Sequence, residues 1–317
     1  MNDSIKNFKI NKLFAEEDSR FLLSCGIKFS SIYLVISLIM IYVLWVILSI
    51  NSIYFEAKGF LPSAELKTAF FDNAIQVLYH YGPYILGFYF LLFFIGTYIG
   101  RMLLRPFKII GQYTEKRTLG ESLEFTPDAF SDYKLLTRFA DFFFRYLDDC
   151  IKQKEIVPNT IPSGFRKLHK PVFERVFFFH FMLFVGIILI ISCSSIFFVT
   201  TEIQSEIIDL ALKLFKSDSN ATNYFLEQQR YIFNSLGYFL FGLTTLSYLL
   251  LSFHLYSKVS GAIFGFFTTM RSFMKGNQKA RIHLLGYSHV RPHSRQFNKY
   301  LDLVVRECSP NNKNKVK

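Results

Sequence analysis

Four stretches of this 317-residue chain contain no Asp, Glu, Lys or Arg: Phe29 to Phe55, Asn73 to Gly100, Val176 to Thr201 and Tyr231 to Ser257, of 27, 28, 26 and 27 residues. A hydrocarbon layer about 30 Å thick is crossed by about 20 apolar helical residues. Each run is therefore long enough to span a bilayer and still leave a turn or more for the interfaces. The first run is too long and too rich in β-branched and aromatic residues for a secretory leader, and no small-residue cleavage site follows it, so it reads as a retained span. A composition of 51% apolar, 18% aromatic and 19% charged residues fits the same class. The expected fold class is an all-α integral membrane protein with four transmembrane helices.

Orientation follows from the basic residues, because Lys and Arg near span ends are retained on the cytoplasmic side. Residues 1 to 28 hold 5 of them, 56 to 72 hold 2, 101 to 175 hold 14, 202 to 230 hold 3 and 258 to 317 hold 12. Of the 36, 31 fall on one side. Both termini and the middle segment are expected in the cytoplasm, as in a multi-pass protein of a bacterial cytoplasmic (inner) membrane. The formal charge of +12 is mostly this bias. The positives flank the spans without a recognisable binding motif, so no nucleic-acid partner is expected. Cys25, Cys150, Cys193 and Cys308 form no CxxC pair, which points to neither a disulfide framework nor a zinc site.

The chain repeats itself. Each half runs span, short outer loop, span, basic cytoplasmic segment, an internal tandem duplication. The expected organisation is a cytoplasmic amino-terminal segment (1–28), a two-span unit (29–104), a helical segment (105–150), a connector (151–175), a second two-span unit (176–257), a second helical segment (258–306) and a polar tail (307–317). Each outer loop has about thirty residues, below the roughly 40 at which domains fold without staples, so no classical extracytoplasmic ligand domain fits. Ile203, Ile207, Leu210 and Leu214 lie at helical spacing and extend the third span outward to a turn at Ser217 to Asn220. Pro158, Pro162 and Pro171 with Gly164 mark the connector as extended.

After the fourth span, Phe266, Met270 and Phe273 form one apolar stripe, and Gly276 follows Ala262 by fourteen residues, where a helix end wants positive φ. Ile282 and Leu284 come next. Phe297, twenty-one residues after Gly276, precedes Tyr300, Leu301 and Val304. This segment resembles a HAMP domain. Its Ala262 stands where the family usually has Pro, and Ile282 and Leu284 match the two apolar pins of the family's extended connector. The segment after the second span resembles the same family. There Pro106 takes the helix-opening position, Gly120 follows by fourteen residues, and Phe143, Tyr146 and Leu147 answer to Phe297, Tyr300 and Leu301. Asp148 and Asp302 complete a shared Tyr-Leu-Asp triplet, and the first connector is two residues longer. Ser288-His289 and Lys134-Leu135 replace the acidic pair that usually opens the second helix, and Pro292 and His293 stand where an acidic residue and a core Leu are common. The resemblance implies helices beginning near Pro106, Leu135, Ala262 and His289. They would bury Ile110, Phe139, Phe143, Phe266, Met270, Phe273 and Phe297 in one four-helix core, built either within one chain as a pseudo-dimer or between chains as a homodimer.

No phosphate-binding loop, metal-ligand cluster, nucleophile elbow, kinase or cyclase motif is present, and neither catalysis nor a cofactor is expected. His180 is the candidate intramembrane polar site, with a hydrogen-bonded structural role as its alternative. His254 reads as interfacial. His283, His289 and His293 lie in or beside the second connector, where a response to pH is the minor reading. Arg101 and Arg105 flank the second span and would snorkel to the headgroups. The resemblance implies a noncatalytic signal relay or receptor subunit, partnered by the bilayer and a cytoplasmic histidine kinase, cyclase or chemotaxis-type protein. The alternatives are a small transporter or channel, or a scaffold subunit of a membrane complex. The charge asymmetry predicts that a reporter active only in the cytoplasm works when fused at Thr160 and fails at Ser219; the reverse pattern overturns the orientation.

Overall fold

The computed structural model describes residues 17–57, 63–126, 134–166, 175–214, 219–284 and 286–308. Among these there is no strand. The helices are α1 (Glu17–Ala57), α2 (Ser63–Thr118), α3 (Lys134–Gln153), α4 (Ser163–Arg166), α5 (Arg175–Leu214), α6 (Ser219–Met274) and α7 (Arg291–Glu307), with a 3₁₀ turn at Ser288–Val290 before α7. The uncharged runs sit inside α1, α2, α5 and α6, and these four are long and apolar enough to cross a membrane. Over the described residues the protein is all-helical, and its four long apolar helices are those of a membrane protein.

Several boundaries differ from the sequence expectation. Helices do not begin at Pro106 and Ala262. The 56-residue α2 and the 56-residue α6 run straight through both positions. A proline inside a helix forfeits one backbone bond, and such a loss is tolerated where packing holds the turn; Pro106 is buried. α7 starts at Arg291 rather than His289, which puts Pro292 in the first helical turn, where its missing N–H costs nothing. Of the expected outer turn, Ser219 and Asn220 already belong to α6, while Ser217 and Asp218 lie outside the described residues. Pro171, residues 1–16, the tail 309–317 and the side chains of Lys134, Leu135, Ile207, Leu210 and Leu214 also lie outside them.

The chain divides into two compact units, and neither is one half of the sequence. One comprises residues 1–24, 97–183 and 253–317, the other 25–96 and 184–252. Each draws helices from both halves.

In the second unit α1 is the hub. Gly96 of α2 lets that helix close on α1, since a Cβ there would lie 2.9 Å from Phe29 Cβ and 3.1 Å from both the Cys25 carbonyl oxygen and Gly26 Cα. Buried hydroxyls tie the spans together. Tyr33 Oη lies 2.8 Å from Ser195 Oγ, and Tyr248 Oη lies 2.9 Å from Ser192 Oγ and donates to the Phe29 carbonyl at 3.3 Å. Thr200 Oγ1 lies 3.0 Å from Met40 Sδ. Interhelical hydrogen bonds of this kind hold spans together where lipid removes the hydrophobic drive to associate. Apolar and aromatic side chains such as Phe94, Phe197 and Tyr238 face outward, as suits a lipid-facing surface. Gly96→Leu should lower the melting temperature in detergent, corresponding to about 1–3 kcal/mol of overpacking. Gly87→Leu, where a Cβ meets nothing within 4 Å, should leave it unchanged.

Candidate functional site

The first unit gathers almost every residue that the sequence singles out. Ile110 of α2, Phe139 and Phe143 of α3, Phe266, Met270 and Phe273 of α6 and Phe297 of α7 each have 0% exposure. Their rings mesh. Phe143 stacks on Phe297 with centroids 5.9 Å apart and an interplanar angle of 30°. Phe266 lies 5.6 Å from Phe297 and 5.4 Å from Phe107, and Phe139 lies 4.4 Å from Phe267. Four helices therefore share one aromatic core.

Burial repeats along the chain. In the first helices Pro106, Phe107, Ile110 and Tyr113 are buried, and so are Ala262, Ile263, Phe266 and Thr269 at matching places. In the second helices Leu136, Phe139, Ala140, Phe143, Tyr146, Leu147 and Cys150 are buried, as are Val290, His293, Ser294, Phe297, Tyr300, Leu301 and Val304.

Both first helices end in the same way. Gly120 and Gly276 have φ of +89° and +95°. The Gly120 N–H donates to the Arg117 carbonyl and the Glu121 N–H to that of Lys116; the Gly276 N–H donates to Phe273 and the Asn277 N–H to Ser272. This pair of bonds is the Schellman arrangement, which closes orphan carbonyls with a glycine in the left-handed region. At Gly276 the interdomain connector adds a constraint. The Asn159 N–H donates to the Met274 carbonyl at 2.9 Å, and Pro158 Cγ lies 3.3 Å from where a Gly276 Cβ would be.

The second connector is held by side chains that spacing did not reveal. Ile282 is buried, and Asn298 holds its backbone on both edges: the Ile282 N–H donates to Asn298 Oδ1 at 2.8 Å, and Asn298 Nδ2 donates to the Ile282 carbonyl at 3.0 Å. Arg281 Nε donates to Asp302 at 2.9 Å. Leu284 and Tyr287 lie over Gly265 and Gly261, a bare strip on α6 one helical turn apart. In the first connector Phe125 plays the pinning part, 5.1 Å from Tyr113 and 4.9 Å from Phe144. Arg117 pairs with Asp148, whose carboxyl burial raises above the usual range while the guanidinium opposes that rise.

α1 reaches this core through its amino end. Asp18 Oδ1 lies 3.2 Å from His293 Nε2, and Phe21 stacks on His289 at 4.4 Å. His293 occupies the space beside Gly111, where a Cβ would come within 2.6 Å of its Nδ1. Nothing in the sequence analysis foresaw this contact; the signal available was a glycine in the first segment at the place where the second has Phe267. His180 lies on an exposed face of α5, because Phe177 and Phe181 turn the other face inward, and it is not gathered with the other named residues. His254 and His283 are also exposed. Cys308 donates its thiol to the Cys150 carbonyl at 3.4 Å, and all four cysteines are free. Among the described residues no group of three His, Cys, Asp or Glu side chains could hold a metal ion.

Comparison with known proteins finds no match among family models, curated proteins or solved structures. What the site can do must therefore be argued from its packing, which joins four helices in one aromatic core.

The two glycine caps generate a graded expectation. Gly120→Val and Gly276→Val should each destabilise by about 1 kcal/mol or more, since a β-branched residue is poorly tolerated at positive φ. Gly276→Val should cost more, measured by thermal or urea unfolding, and Pro158→Ala should recover only that excess. Equal costs at the two glycines would remove the role assigned to Pro158.

Proposed function

We propose that the protein is a noncatalytic transmembrane signal relay, in which two HAMP-like segments arising from a tandem duplication pair within one chain as a pseudo-dimer. The observation that carries this reading is the stacking of Phe143 on Phe297. These two occupy corresponding places in the repeats, and corresponding residues meet directly only beside an axis that relates the copies. The repeated burial pattern and the twin Schellman caps at Gly120 and Gly276 support it. So does the continuity of α2 and α6, since an unbroken helix carries a tilt, rotation or piston motion of a span directly into the aromatic core.

In this reading the basic ends of the spans and both termini are cytoplasmic, in a bacterial inner membrane. Bistable packing among the four helices is the switch, and a cytoplasmic partner of the kinase, cyclase or chemotaxis class reads it. Pro106, Gly120, Gly276, Ile282 and Leu284 set the helix ends and connectors, while Phe143, Phe266, Met270, Phe273 and Phe297 form the surface that repacks.

Cysteines placed at Phe143 and Phe297, in a chain whose Cys25, Cys150, Cys193 and Cys308 are replaced by Ser, test the pairing. Oxidation in native membranes should give an intrachain bond, seen as a faster-running monomer on non-reducing gels. Dimers as the sole product would refute the pseudo-dimer and leave a homodimer.

A further inference from the structure

The second unit contains a cleft of about 650 Å³ between α5 and α6, within the range of pockets that take one small ligand. Its floor is Ile196, Thr200, Leu240 and Thr244, all buried, and the exposed Phe197 and Tyr238 flank its mouth. Among the described residues that line it, none is charged. It is set within the apolar stretch of two spans, so it opens to lipid, and an ion entering it would lose its hydration without finding a counter-charge.

Three of the hydroxyls that line the cleft are arranged in one sense. Thr200, Thr201 and Thr244 give their hydroxyl protons to the carbonyls of Ile196, Phe197 and Leu240 at 2.7, 2.9 and 2.7 Å. What these side chains have left to offer is oxygen lone pairs. Gln204 and Asn234, which also line the cleft, add amide groups. The combination favours an uncharged molecule with an apolar body and a hydroxyl to donate.

We propose that this cleft binds a neutral, alcohol-headed lipid taken from the bilayer. Binding is read directly and does not depend on the relay reading; if that reading also holds, the cleft gives a receptor with short outer loops a stimulus that arrives through the membrane.

The test uses the full-length protein in phosphatidylethanolamine–phosphatidylglycerol vesicles with a photoactivatable diacylglycerol, and its O-methyl ether as the matched probe without a donor. Adducts of the diacylglycerol should map to residues 193–204 and 233–244. Gly237 lines the cleft and a Cβ there meets nothing within 4 Å, so Gly237→Phe projects a ring into the space. It should lower the apparent affinity by about tenfold or more, roughly 1.4 kcal/mol, with helix content and elution profile unchanged. Thr200→Val keeps the shape and removes an acceptor, so it should weaken the alcohol probe more than the ether. Adducts scattered over the lipid-facing surface, labelling unchanged by Gly237→Phe in a folded protein, or equal labelling by the two probes would each overturn the proposal.

Discussion

The contact between Phe143 and Phe297 organises the first unit. An aromatic pair in offset stacking gains about 0.5–1.5 kcal/mol beyond its area burial, and this pair sits where α3 and α7 meet, with Phe266 and Phe273 of α6 packed beside it at 5.6 Å from Phe297 and 6.1 Å from Phe143. Each neighbouring layer takes its place from that contact. Phe107 reaches Phe266 on one side, and Phe139 reaches Phe267 on the other. Large flat rings leave few ways to fill a core at crystalline density, so such a core repacks between discrete arrangements rather than deforming smoothly. That property is what a switch of the proposed kind requires.

The spans obey a different constraint. Inside a hydrocarbon layer every backbone group must be paired within its own helix, which accounts for the long unbroken runs and for the placement of nearly all charge at their ends. Association then rests on close approach and on side-chain hydrogen bonds. Gly96 supplies the first, and Tyr33, Tyr248, Ser192 and Ser195 supply the second. The same chemistry shapes the α5–α6 cleft, where the buried Thr200 and Thr244 donate their hydroxyl protons back to their own helices.

Patterns with a period or a fixed spacing were legible in the sequence. Four uncharged runs gave four spans, and the interval from Ala262 to Gly276 located a left-handed helix end. The apolar stripe of Phe266, Met270 and Phe273 named the buried face of α6, and the family resemblance named Ile110, Phe139, Phe143 and Phe297. Contacts that depend on what stands across a gap were not legible. Asn298 gripping the Ile282 backbone, Leu284 lying on Gly265, and Asp18 meeting His293 join residues whose spacing carries no signal, and each partner read alone is an ordinary surface or helix residue. Helix starts were misplaced for a different reason: the family resemblance puts a beginning at Pro106, but α2 runs through it with Leu104, Pro106 and Phe107 buried.

The departures from symmetry are the most instructive part of the first unit. Phe139 packs on Phe267, and at the positions that match them in spacing His293 lies against Gly111. Where the first pair is a ring-on-ring contact, the second is an imidazole filling the place of an absent side chain. That exchange brings polar edges into the core, and the amino end of α1 meets them with Asp18 at His293 and Phe21 at His289. Two identical chains cannot hold such a difference, because a self-complementary interface gives both copies the same neighbours. Within one chain the copies are free to diverge, and in the proposed pseudo-dimer the first span acquires its own contact with α7, separate from the continuous α2 and α6. A shift of α1 would then bear on one edge of the aromatic core alone. An asymmetric push of that kind favours one of two packings directly, where a symmetric dimer would have to break its own symmetry first.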